Sequence, residues 1–120
     1  MIKNLPEFKA LIIRYETITI RAIERKYCNI TKLTGFGYIR KCTLCVAIKM
    51  DRWNVDPCNG CVWNVSQKET AKRFSCQAGV NGKTYYAIAR STTPNTLLKA
   101  YWLRAKHMRS ILKKLNIEMP

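Results

Sequence analysis

Beyond Pro94 the apolar residues recur at steps of three and four. Leu97, Leu98, Tyr101, Ala105, Met108, Leu112 and Leu115 fall on one side of a 3.6-residue repeat. The pattern predicts a long amphipathic helix over 94–116. Thr93 or Thr92 supplies its cap, and Pro94 stands at the entry, where a missing N–H costs nothing. A second helical pattern opens the chain: Phe8, Leu11, Ile12, Tyr15, Ile18, Ala22 and Ile23 predict a helix over 5–27, with Asn4 as cap and Pro6 in its first turn. One stretch competes with it. Thr17-Ile18-Thr19-Ile20 alternates and is β-branched, which favours a strand.

From Phe36 to Arg90 the pattern changes to short apolar runs broken by Gly, Asn and Pro. These runs predict strands. Asn81-Gly82 favours the positive φ angles of a two-residue turn, so 74–90 is predicted as a β-hairpin. Ser66 and Glu69 have capping-box spacing and predict a short helix over 66–74. The predicted fold is α+β: one domain over 1–120, with two long helices flanking a small antiparallel β-unit.

Four cysteines add chemistry to that unit. Cys42 and Cys45 form one Cys-x2-Cys pair, Cys58 and Cys61 the other, with twelve residues between. Each pair directs two thiolates at one point, and Gly60 suits the positive φ that such turns adopt. Four thiolates make a tetrahedral site suited to Zn2+, and the spacer allows a hairpin to run out and back. Over about residues 36–66 the arrangement resembles the broad zinc-ribbon type. Four sulfur ligands leave no coordination position open, so a structural metal is expected. An iron–sulfur cluster uses the same ligand set, and buried thiols or a redox pair are further readings. Cys28 and Cys76 read as small core residues. MIKNLPEF lacks the apolar core of a signal peptide, and no apolar stretch has membrane-spanning length. The expected compartment is therefore the cytoplasm, where paired cysteines mean metal more often than disulfide.

Charge narrows the partner. Twenty-two Lys and Arg face seven Asp and Glu, a formal net charge of +15. Such a chain is drawn to polyanions, and nucleic acid is the commonest. The predicted C-terminal helix carries Lys99, Trp102, Lys106, Arg109 and Lys113 opposite its apolar face, cations with an aromatic among them. Arg40, Lys41 and Arg52 form a second basic group around the cysteines, while Trp53 and Trp63 read as core. No catalytic constellation is present. His107 is the single histidine, and neither HExxH, GxSxG nor a Gly-rich phosphate loop occurs. The expectation is a non-catalytic, zinc-stabilised, basic nucleic-acid-binding protein contacting mainly the phosphate backbone. The alternative is a module or inhibitor, of the kind a phage or mobile element would encode, docking on an acidic, nucleic-acid-like protein surface. No membrane partner and no small-molecule substrate are expected.

Overall fold

The computed structural model describes residues 2–26, 44, 60–66, 75–77 and 79–119. Five helical segments of four or more residues are described: α1 (Leu5–Thr17), α2 (Ile20–Lys26), α3 (Val62–Val65), α4 (Gly79–Ala89) and α5 (Pro94–Lys114). A 3-10 turn spans Ser75–Gln77.

The axis of the fold is α5. At its start Thr93 Oγ1 accepts from the Thr96 N–H at 3.2 Å, and Thr96 Oγ1 accepts from the Thr93 N–H at 3.2 Å. This reciprocal box satisfies donors that a helix start leaves open. At its end Asn116 adopts φ 59°, the Asn116 N–H reaches Lys113 O at 3.1 Å and the Ile117 N–H reaches Leu112 O at 2.8 Å. That pair of bonds is a Schellman closure. Leu97, Ala100, Tyr101, Ala105, Met108, Ile111 and Leu112 face the core. Helices α1, α2 and α4 all pack against α5. From α1 come Phe8, Leu11, Ile12 and Tyr15, and the Tyr15 ring stacks on Tyr101 at 4.9 Å and 11°. Burying each such side chain stabilises by about 1.5–3 kcal/mol.

The N-terminal helix is broken where the β-branched stretch interrupts it. Ile18 takes an extended ψ of 138°, and Thr19 Oγ1 accepts from the Ala22 N–H at 3.1 Å to start α2. Ile18 and Ile23 nevertheless both enter the core.

The α+β prediction with its zinc-ribbon unit is wrong. Among the described residues there is no strand or sheet. Residues 79–89, expected to hold the turn and second strand of the 74–90 hairpin, are helical, and Asn81 and Gly82 lie buried inside α4. A Cβ at position 82 would stand 2.5 Å from Gln77 O, so glycine here allows a close backbone approach rather than a turn. Val62–Val65, expected as a strand, forms a helical turn. Ser66, expected to open a helix, closes α3 instead, its Oγ donating to Trp63 O at 2.7 Å. Among the described residues no three His, Cys, Asp or Glu side chains gather to hold a metal ion. The zinc-ribbon reading therefore falls with its β-unit. Cys42, Cys45 and Cys58 lie outside the described residues, and Cys61 is buried. Among the described residues no helix is long and apolar enough to cross a membrane.

Candidate nucleic-acid interface

Because the apolar stripe of α5 faces inward, the opposite side is presented outward. Lys99, Trp102, Lys106, Arg109 and Lys113 are all exposed there. The Trp102 side chain is 50% exposed, an unusual position for so large an apolar surface, and Lys99 and Lys106 flank it one turn away on either side. Leu103, beside it, is 56% exposed. Lys99, Lys106 and Lys113 form no ion pair among the described residues. Arg109 differs: its Nε and Nη2 grip the Glu16 carboxylate of α1, Nη2 at 2.8 Å from Oε1. That hydrogen bonding holds the Glu16 carboxyl below its usual range and raises the Arg109 guanidinium above its own. Arg40, Lys41 and Arg52 lie outside the described residues.

The sequence surrounding this face sharpens its charge. No Asp or Glu occurs between Glu69 and Glu118, so the α4–α5 hairpin carries only basic ionisable side chains apart from His107 and the tyrosines. Nothing acidic within the hairpin itself offsets its potential.

A polar hub beneath the surface orients the hairpin. Arg104 is 4% exposed. Its Nη1 donates to Asn81 O at 2.7 Å and to Thr84 Oγ1 at 2.8 Å, and its Nη2 donates to Cys76 O at 3.2 Å. The guanidinium carbon lies 4.0 Å from the centroid of the Trp63 ring. One side chain thus ties α5 to α3, the 3-10 turn and α4. His107, one turn on, places Nε2 at 2.8 Å from Asn81 Oδ1, and its ring stacks on Trp63 at 5.6 Å and 28°. The amide oxygen accepts from an Nε2–H. Burial, and then the charge of Arg104, push the His107 pKa down, which favours the neutral ring. His107 is therefore half-buried in packing rather than a surface residue. Arg104 was readable in one respect: it sits three residues after Tyr101 and four before Met108, a charge placed on the apolar stripe.

Comparison with protein-family models, curated proteins and solved structures finds no match.

A second junction joins the N-terminus to the cysteine region. Asn4 is fully buried, yet its side chain does not cap α1. Its Oδ1 accepts from the Val62 N–H at 3.0 Å, satisfying the start of α3. Its Nδ2 donates to Leu44 O at 3.3 Å and to Cys61 Sγ at 3.2 Å. The Lys3 N–H donates to Gly60 O at 2.7 Å, and Gly60 holds φ 87°, the conformation expected of it. Leu44 lies within the first Cys-x2-Cys and Cys61 ends the second, so one amide bridges the two motifs. Trp63 is core, 1% exposed, and meets Phe8 edge-on at 5.3 Å.

Proposed function

We propose that this chain is a small basic nucleic-acid-binding protein that lays the outer face of α5 along a phosphate backbone. The observation that carries this reading is the row Lys99, Lys106 and Lys113, exposed and without an ion pair among the described residues, with Trp102 projecting between its members. Successive lysines seven residues apart rise about 10 Å along the helix, a spacing that lets each meet a separate phosphate. Each contact releases condensed counterions, so binding weakens with salt in proportion to the number of phosphates held. Trp102 offers a flat apolar surface to a sugar or an unstacked base. Contacts of this kind set affinity and register and carry little sequence preference.

Titration of labelled DNA and RNA against the protein at rising salt tests the proposal. Binding that falls linearly on a log–log plot supports it. The triple substitution Lys99→Ala, Lys106→Ala, Lys113→Ala should reduce the slope by about 2–3. An unchanged slope refutes the assignment of this face.

One observation favours a second reading. Trp102 and Leu103 are adjacent and both at least half exposed, the kind of anchor that protein interfaces bury at their centres. Under that reading α5 docks on an acidic protein surface. Failure to bind nucleic acid at low salt, together with a partner complex lost on Trp102→Ala, would favour it over the first.

A further inference from the structure

A groove on the outer side of α4 supports an inference that rests on the nucleic-acid reading and deepens it. We propose that this groove seats one unstacked nucleotide of a single-stranded nucleic acid, with Tyr86 as the stacking platform and Lys83 and Arg90 as phosphate contacts. The groove is open to solvent, with a volume of about 580 Å³, and its lining includes Gln77, Gly79, Gly82, Lys83, Tyr86 and Arg90. That volume lies in the range of small-ligand sites and suits a single nucleotide.

Three features point to this occupant. The first is the ring. Tyr86 is 42% exposed, and Tyr85 meets it edge-on at 5.2 Å and 86°, which braces its orientation. Tyr85 in turn has the Arg104 guanidinium 5.9 Å from its centroid, so the support reaches the buried hub. The second is charge. Lys83, Tyr86 and Arg90 stand at helical steps of three and four, on one face, and the Arg90 guanidinium lies 5.2 Å from the Tyr86 centroid. An aromatic face flanked by cations is the combination on which single strands are held, the ring taking a base and the charges its phosphates. No carboxylate occurs in the sequence from residue 70 to 117 to compete for them. The third is the floor. Gly82 is buried, and a side chain there would collide with Gln77 O at 2.5 Å and come within 3.6 Å of Tyr86 Cε2. Glycine lets the Gln77 backbone close in beneath the ring and form the floor of the groove.

A duplex does not offer its bases to such a ring, because they are stacked on one another. The groove therefore discriminates strandedness, whereas the α5 face contacts phosphates in either form. Fluorescence anisotropy of a labelled oligothymidylate and of a labelled duplex of equal length tests this, using Tyr86→Ala, Tyr86→Phe and the double variant Lys83→Ala, Arg90→Ala. Tyr86→Ala should weaken single-strand binding roughly tenfold and leave duplex binding unchanged, while Tyr86→Phe stays near wild type. The double variant should lower the single-strand salt slope by about 1.4. Thermal melting of each variant by circular dichroism establishes that it is folded. If Tyr86→Ala binds the single strand as tightly as wild type, while the α5 triple variant does not, the groove inference is overturned and the α5 proposal stands. Equal weakening for both probes also overturns it. If the wild-type protein binds neither probe at low salt, the nucleic-acid reading fails, and this inference with it.

Discussion

Replacing Arg104 with methionine tests whether the buried guanidinium holds the helices together. The substitution retains an unbranched chain of similar reach and removes three donated hydrogen bonds, to Asn81 O, Thr84 Oγ1 and Cys76 O. Hydrogen bonds from a charged donor contribute about 1.5–3 kcal/mol each. The guanidinium also sits 4.0 Å from the Trp63 centroid, a desolvated cation–π contact contributing about 2 kcal/mol. Gross loss is thus about 6–11 kcal/mol. Against it stands the desolvation of a nearly fully buried cation, several kcal/mol, which methionine does not suffer. The net destabilisation is about 3–5 kcal/mol, a large part of the total stability of a typical domain. Arg104→Lys should lose nearly as much, because a point ammonium cannot span three acceptors that a planar fork reaches. Urea unfolding, followed by far-ultraviolet circular dichroism, should show a lower midpoint with an unchanged slope. Melting should fall by about 3–6 °C per kcal/mol lost. An Arg104→Met protein within about 0.5 kcal/mol of wild type would refute the reasoning, since that is the range of an ordinary surface substitution.

Other consequences follow from single contacts. Asn4→Ala leaves the Val62 N–H and Leu44 O without their side-chain partner in a buried site, and should cost about 1–3 kcal/mol by the same urea assay; a neutral result would mean that the junction adds nothing to stability. Glu16→Gln removes the carboxylate that holds Arg109, so nucleic-acid affinity and its salt slope should both rise; unchanged titrations would show that Arg109 takes no part in binding. His107 has a folded-state pKa pushed below its ordinary value of about 6.5 by burial and by Arg104. The unfolded chain then binds a proton that the folded chain refuses, so this stabilisation is complete above about pH 6.5 and is lost as pH falls through the lower folded-state pKa. His107→Gln should flatten that part of the stability profile, and a variant that keeps the wild-type pH dependence would assign it to another group.

How much of this was legible in the sequence varies with how local each determinant is. The cap at Thr93 and the apolar steps of three and four along α5 are each set by residues a few positions apart, so pattern alone locates the helix. The α1–α2 break was also written locally, as helical spacing and a β-branched run contesting the same residues, and the structure grants each its share. Asn81-Gly82 is different. Its turn preference is a purely local one, whereas the helix it joins is anchored by Arg104 and His107, 23 and 26 residues downstream. A window drawn around the dipeptide contains neither. The trace of that tertiary demand was on α5 itself: an arginine on the apolar stripe and a histidine one turn later, two polar groups that must find partners when the stripe is buried. The carbonyls of Cys76 and Asn81, the Thr84 hydroxyl and the Asn81 amide supply them, and strand pairing would have competed for the two carbonyls.

The cysteine spacing misled for a related reason. Two Cys-x2-Cys pairs argue that two short segments approach each other; they do not specify what secondary structure carries them. Asn4 shows the approach directly, since one amide group contacts both Leu44 O and Cys61 Sγ. Yet the residues after Cys61 coil into a helical turn in which Val62 and Trp63 are both buried, Trp63 against Phe8 and Arg104, whereas a strand would have turned one of the two outward. Leu44 and Cys61 do meet at one amide, and the ribbon was an added assumption. An interior made by Trp63, which meets Phe8 in a T-shaped contact and receives Arg104 over its face, set the local conformation instead.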